Sequence, residues 1–119
     1  MTQAADQLKQ RTKTFAVRAM KLADALPRRP SSNAIANQLA RSSASVVANY
    51  RVVCLARSKP EFVAKLCIVC EEIDETQGRL DMVADLALVK PARLNALRDE
   101  ARELTAIFVA ARKTTRGGR

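Results

Sequence analysis

The chain has 119 residues, the length of a single domain, and its 21 lysines and arginines outnumber its 12 acidic residues, giving a net charge of +9. It has no histidine, the usual general base near neutral pH, and no apolar run long enough to cross a membrane. Its first residues do not follow the order of a signal peptide and its three cysteines are an odd number, so we expect a cytoplasmic protein with free thiols.

Apolar residues recur along most of the chain at alternating steps of four and three, which is the spacing of one helix face. Prolines interrupt this pattern, and a proline either ends a helix or occupies its first turn. Four amphipathic helices with short connections predict an all-α, antiparallel up-down four-helix bundle. The predicted helices cover about residues 5–26, 31–58, 59–88 and 91–113, within a domain of residues 1–113 that is followed by a disordered basic tail, 114–119.

Several residues are suited to begin or weaken these helices. Ser31 or Ser32 is a good N-cap for the second helix, and Ser58 followed by Glu61 predicts a capping box for the third. Gly78 lies inside the third helix and weakens it by about 1 kcal/mol relative to alanine.

The charge reverses between the second and third helices. From Pro27 to Pro60 there are six basic residues and no acidic residue, whereas from Glu61 to Leu86 there are seven acidic residues and two basic ones. Two neighbouring helices with opposite charge and a similar apolar pattern are predicted to pack together. Most of the acidic residues of the third helix fall opposite its apolar face.

Two groups of residues in the third helix have the composition of reactive sites. Cys67 and Cys70 have a two-thiol spacing, but a zinc site needs four ligands and a redox pair is usually at a helix N-terminus, so small packed thiols are the favoured interpretation. A cluster of carboxylates could form a two-metal site only if it faced the core, so a salt-bridged or solvated face is favoured. We therefore predict no enzyme activity, no metal and no cofactor. The acidic cluster consists of Glu71, Glu72, Asp74 and Glu75.

The basic residues of the first two helices are the candidates for binding nucleic acid. Because the sequence lacks aromatic residues that could stack on single-stranded bases, such binding is predicted to be directed at phosphates and sensitive to salt. The alternative is that these residues pair with the acidic helix, within the chain or between subunits. The candidate residues are Lys9, Arg11, Lys13, Arg18, Arg41, Arg51 and Arg57.

Two polar residues, Ser42 and Asn49, lie on the apolar face predicted for the second helix. Their side chains could bond to the helix backbone or to each other. They could equally form a buried polar contact that determines helix register or oligomeric state. Both interpretations stay open at this point.

The central part of the chain resembles a known family. The segment Gln38–Arg51 (QLARSSASVVANYR), together with Ala56–Leu66 and Glu71–Thr76, is similar to the four-helix-bundle proteins encoded in intervening sequences of bacterial 23S ribosomal RNA genes. The similarity covers roughly residues 8–112. It departs from the family at Gln77-Gly78-Arg79, where aromatic residues are common in relatives.

This resemblance implies an up-down bundle that assembles as a ring-like homopentamer and has no enzymatic activity. In a related branch, the accessory proteins of diversity-generating retroelements, a basic pentamer binds a reverse transcriptase and nucleic acid. The partners implied are therefore further copies of the chain, RNA or DNA, and a reverse transcriptase. The family motif implies structural or intersubunit roles for Ser42, Asn49, Tyr50, Glu71, Glu72, Asp74 and Glu75, and it also covers Arg41, Arg51, Ser58, Phe62 and Lys65.

Overall fold

A computed structural model of the protein describes residues 2–117, and these residues form four α-helices. Each helix packs against its neighbours in the sequence, and the first also contacts the last, so the chain runs up and down around one core. The bundle is elongated, with extents of 46 × 23 × 21 Å. The predicted all-α up-down bundle is confirmed. The helices are α1 (Gln3–Ala25), α2 (Pro30–Val53), α3 (Lys59–Asp85) and α4 (Pro91–Arg116).

The core is built from the apolar faces predicted from the sequence. Aliphatic side chains dominate it, and two phenylalanines are completely enclosed. Burial of such side chains contributes roughly 1.5–3 kcal/mol each, which makes this interior the main source of stability. The largest buried side chains are Phe15, Leu39, Val46, Leu66, Ile73, Leu80, Leu94, Leu104 and Phe108.

Helix α2 begins earlier than the sequence predicted. Pro30 occupies its first turn, and Arg29 is the N-cap without a side-chain hydrogen bond. Ser31 and Ser32 lie inside the first turn, so the prediction of a serine cap was wrong. The reason is that proline has the helical φ angle built in and has no N–H that needs a partner at this position.

Helix α2 ends at Val53, five residues before its predicted end. Ser58 has an extended backbone, and its hydroxyl accepts a hydrogen bond of 3.2 Å from the backbone N–H of Glu61, which confirms it as the N-cap of α3. The Glu61 carboxylate accepts a hydrogen bond of 3.4 Å from the backbone N–H of Arg57, one residue before the N-cap, so the reciprocal bond of the predicted capping box is shifted by one residue. Because the chain must already be extended at Ser58, it leaves α2 several residues earlier.

Helix α3 ends at Asp85 instead of near residue 88. Ala87 has a φ of 51°, in the left-handed region. The N–H of Ala87 donates to the carbonyl of Ala84, and the N–H of Leu88 donates to that of Val83. This pair of bonds is the Schellman arrangement, which satisfies the last carbonyls of a helix and stops it.

Helix α4 continues through Arg116, past the predicted boundary at residue 113. Lys113 and Arg116 lie in its last turn, where positive charge favours the helix dipole. Residues 114–116 of the predicted disordered tail are thus helical, and Gly117 is the C-cap. The remaining tail residues, Gly118 and Arg119, lie outside the described residues. None of the four helices is long and apolar enough to cross a lipid bilayer in the part of the chain that the structure describes.

Candidate nucleic-acid interface

The four basic residues proposed on α1 do not share one face. Lys9 and Arg18 are nine residues apart, which places them about half a turn from each other around the helix axis. By the same spacing, Lys13 lies near the side of Lys9, and Arg11 lies near the side of Arg18. Lys9 and Arg11 are half-buried, whereas Lys13 and Arg18 are exposed.

Arg11 is occupied by a contact between the first and last helices. Its Nη2 lies 2.6 Å from Oε1 of Glu100, and its Nε donates to Oε2 of the same carboxylate at 3.2 Å. A second carboxylate, Glu103, lies 3.1 Å from Nη2. The hydrogen bond to Glu100 raises the pKa of the guanidinium. Arg11 therefore joins α1 to α4 and has little capacity left for an external anion.

Arg41 is occupied in a similar way between α2 and α3. Its Nη2 lies 3.0 Å from Oε2 of Glu75, and its Nη1 lies 3.7 Å from Oε2 of Glu72. Burial raises the pKa of the Glu72 carboxyl, as does the charge of Glu75, while Arg41 acts in the opposite direction. The predicted packing of the basic helix against the acidic one is thus seen within a single chain.

Arg51 and Arg57 are different. Both side chains are exposed. No carboxylate among residues 2–117 lies within ion-pair distance of either. Two of the seven proposed residues, Arg11 and Arg41, are therefore held by carboxylates within the chain, and the other five are not.

The acidic residues proposed as structural or intersubunit positions also divide. Glu71 and Asp74 are exposed on α3, whereas Glu72 and Glu75 turn toward Arg41. Asp81, farther along α3, pairs with Arg98 of α4 at 2.9 Å. Fewer acidic side chains of α3 are therefore available to an external partner than its sequence suggests.

The two polar residues on the face of α2 have different environments. The Ser42 hydroxyl is buried and lies 2.8 Å from the Thr76 hydroxyl on α3, which also contacts the carbonyl of Glu72 at 2.8 Å. Asn49 instead donates to the carbonyl and hydroxyl oxygens of Ser45 within its own helix, both at 2.9 Å. Ser42 therefore forms a buried polar contact between helices, whereas the side chain of Asn49 forms hydrogen bonds within its own helix.

Tyr50 is a packed aromatic residue. Its ring lies 5.3 Å from that of Phe108, at an interplanar angle of 54°, so it links α2 to α4 across the core. Burial raises the pKa of its hydroxyl well above the ordinary value, and the neighbouring Cys54 thiol adds to this effect. These contacts are those of a residue that packs the bundle.

The three cysteines are free thiols. Cys70 is buried, which raises its pKa, and Cys67 accepts a hydrogen bond of 3.2 Å from Nη2 of Arg116. Across residues 2–117 the structure has no group of three or more histidine, cysteine or acidic side chains placed to hold a metal ion.

A groove runs between α1 and α4, the adjoining pair with the least extensive contact. Toward the C-terminal end of α1 it has a volume of about 220 Å³ and is lined by Arg18, Lys21, Leu22, Arg93 and Leu97. No carboxylate lines this part of the groove or pairs with its three cations among the described residues. Three cations from two helices, none of them ion-paired among residues 2–117, therefore line one cleft.

A protein-family model described as the 23S rRNA-intervening sequence protein matches residues 6–110. The chain belongs to this family. The predicted resemblance is confirmed, and the match includes all seven proposed basic residues and the three cations of the groove.

The fold of this family member is similar to a solved structure. That structure, at 1.70 Å resolution, is a protein of unknown function from the S23 ribosomal protein family of Bacteroides thetaiotaomicron. The TM-score is 0.82 at 24% sequence identity, over 92% of this chain and 97% of the other, so the likeness concerns the fold. Comparison with curated proteins gives no match.

Two cations of the groove, Lys21 and Arg93, are not among the binding residues predicted from the sequence. Arg93 lies in the first turn of α4, where the helix dipole disfavours positive charge, and that unusual placement is visible in the sequence. The convergence itself is not visible, because it requires knowing that α1 and α4 lie side by side.

Proposed function

We propose that the protein is a non-enzymatic, oligomeric helical bundle that binds the phosphate backbone of RNA, or of a nucleoprotein that contains RNA, through its unpaired basic side chains. The observation that supports this proposal is that some basic side chains are paired with carboxylates and others are not. Arg11 and Arg41 are held by carboxylates inside the bundle, while Arg18, Arg51 and Arg57 are exposed and have no such partner among residues 2–117.

The same surface favours contacts to phosphates over the reading of bases. Phe15, Phe108 and Tyr50 are buried and Phe62 is half-buried, so the four aromatic residues offer little stacking surface to single-stranded bases. Lysine and arginine contacts to phosphate give affinity and position with little sequence preference.

A fluorescence titration of the full chain against a structured RNA at about 50 mM and about 200 mM salt tests this proposal. Several phosphate contacts predict binding at the lower salt concentration and an affinity lower by about tenfold or more at the higher one. An equally long, uncharged polymer serves as the control. Absence of RNA binding at the lower salt concentration would contradict the proposed function.

A second candidate, a protein-interaction scaffold without a nucleic-acid role, is favoured by a different observation. Helix α1 contacts α2 and α4 but not α3, so the basic α1 and the exposed acids of α3, Glu71 and Asp74, lie on opposite sides of the bundle. Complementary faces on opposite sides of one subunit permit head-to-tail contacts, and such contacts form a ring when the rotation between successive subunits closes. A homopentamer and a reverse transcriptase partner are proposed on the family resemblance.

Light scattering on the full chain at micromolar concentration tests the assembly. We expect the mass of a pentamer, and we expect Glu71→Lys combined with Asp74→Lys to dissociate it because like charges would then face each other. A monomeric wild-type chain would contradict the proposed assembly. The RNA titration distinguishes the two proposed functions, because only an RNA-binding protein gives salt-dependent binding of RNA.

A further inference from the structure

We propose that the α1–α4 groove defined by Arg18, Lys21 and Arg93 is where the protein holds a phosphodiester group of its nucleic acid. This inference rests on the proposed function and gives it a location. The ligand chemistry is a phosphate oxyanion within a polynucleotide backbone, held by cations from two helices.

The architecture explains why a groove is present here. The first and last helices of the bundle have no connecting segment between them, and their contact is the least extensive of the adjoining pairs. The apolar side chains of Leu22 and Leu97 are buried beneath the cations, with relative exposures of 6% and 3%. An anion in the groove would therefore lie against an apolar surface with a low local dielectric constant, where attraction to the surrounding cations is stronger than in open water.

The distribution of charge along the groove favours one end of it as the anion site. Toward the N-terminal end of α1, Arg11 is balanced by Glu100 and Glu103. Toward the C-terminal end, Arg18, Lys21 and Arg93 line the groove without any carboxylate. Like charges that converge in this way repel one another, and a bound anion removes that cost.

The nearest acidic residue along α1 does not supply the missing charge. Asp24 follows Lys21 by three residues, but no ion pair forms between them. It lines a different cleft, between α1 and α2, together with Arg28. On α4, Asp99 is paired with Arg102 at 3.1 Å.

The start of α4 adds positive potential beside the groove. Its N-cap, Lys90, provides no side-chain hydrogen bond, and its first turn contains no acidic residue. A helix begun in this way keeps the positive end of its dipole unneutralised. Arg93 adds a full charge in the same turn, in the position where an acidic side chain would stabilise the helix.

The test compares two variants that each lose two positive charges. The groove variant combines Arg18→Gln with Arg93→Gln. The control combines Lys59→Gln with Lys113→Gln, which are exposed and do not line the groove. Affinity for a short single-stranded RNA is measured over a series of salt concentrations. Thermal unfolding of both variants establishes that they are folded, as we expect for substitutions of exposed side chains.

We expect the slope of log affinity against log salt concentration to become shallower by about 1.4 in the groove variant, at about 0.7 for each lost phosphate contact, and to stay near the wild-type value in the control. Single-stranded DNA of the same sequence should show the same loss, because phosphate is the shared chemistry. A wild-type slope in the groove variant would overturn this inference and leave the proposed function intact. A wild-type protein that fails to bind RNA would instead overturn the proposed function.

Amide chemical shifts provide a second measurement on the wild-type chain. Titration with the same RNA should move the resonances of residues around Arg18, Lys21 and Arg93 before those around Lys59. Inorganic phosphate alone should move the same resonances only at much higher concentration, since it lacks the neighbouring phosphates of a polynucleotide. Shifts confined to other parts of the bundle would contradict the groove as the site.

Discussion

At the scale of single residues, the hydroxyls of Ser42 and Thr76 meet inside an otherwise apolar interface between α2 and α3. Both side chains are buried, and the hydroxyls lie 2.8 Å apart. A buried polar group that loses its partner costs about 1–3 kcal/mol, whereas removal of both partners together can be nearly neutral. The contributions of the two hydroxyls to the free energy of unfolding are therefore coupled.

We predict that Ser42→Ala and Thr76→Val will each lower the free energy of unfolding by about 1 kcal/mol, and that the double variant will lose less than the sum. Urea denaturation of the four proteins measures this coupling. Asn49→Ala is a suitable comparison, because Asn49 bonds within its own helix and should show no coupling to Thr76. Strictly additive losses at Ser42 and Thr76 would contradict the contact.

The carboxyl of Glu72 makes stability depend on pH. Its pKa is raised above the ordinary 4.5, chiefly by burial, so the folded state holds this proton more tightly than the unfolded state. This carboxyl therefore contributes most to folded-state stability at low pH, and its contribution is lost as pH rises from 4.5 through the raised pKa. Glu72→Gln removes this ionisation and keeps the shape of the side chain.

We predict that Glu72→Gln will be more stable than the wild type at pH 7, by less than about 1 kcal/mol, and that the difference will shrink toward pH 4. Chemical denaturation across this range measures the effect. The exposed neighbour Glu71→Gln loses the same charge without the burial, and serves as the control. A Glu72 variant that is less stable than the wild type at every pH would show that the pair with Arg41 outweighs burial.

At the scale of helices, α3 has a glycine in its interior, where alanine is more stable, and an alanine in the left-handed position just after its end, where glycine is more stable. Gly78 lies within the helix, and a Cβ added there would meet no atom within 4 Å. Ala87, which is exposed, adopts the left-handed conformation that ends the helix and that glycine adopts most easily. The native residue at each position therefore lowers the stability of the protein slightly, and a single substitution can recover that stability.

We predict that Gly78→Ala and Ala87→Gly will each raise the free energy of unfolding by roughly 0.5–1 kcal/mol. Because the two sites are separated along α3, the double variant should gain the sum. Thermal and urea unfolding measure these gains. Ala64→Gly, at an exposed position within the same helix, should have the reverse effect, and destabilisation by Gly78→Ala would contradict the open space around that residue.

The helices also show what the sequence could predict. The repeat of apolar residues identified the buried faces, such as Leu66, Ile73 and Leu80 of α3, because burial is a periodic property of each helix by itself. Helix ends were less predictable. The end of α3 depends on the left-handed backbone of Ala87, which the residue type does not predict. The start of α2 was assigned to a serine, although Pro30 suits the first turn of a helix.

At the scale of the whole molecule, the sequence predicted an uneven charge but not which cations are available. Arg11 and Glu100 are 89 positions apart, and their pairing appears only when α1 and α4 lie side by side. The same adjacency brings Arg93 to Arg18 and Lys21. Candidate binding residues could therefore be listed from composition, whereas their division into paired and unpaired groups required the tertiary structure.

The proposed role of the bundle depends on unpaired cations that contact phosphates. The most direct measurement is the affinity of the wild-type chain for a short single-stranded RNA over a series of salt concentrations, because the slope of log affinity against log salt concentration counts the phosphate contacts. Engagement of Arg18, Lys21 and Arg93 predicts a slope of about −2 or steeper, at about 0.7 for each contact. A slope near zero, or no binding at the lowest salt concentration, would contradict the account.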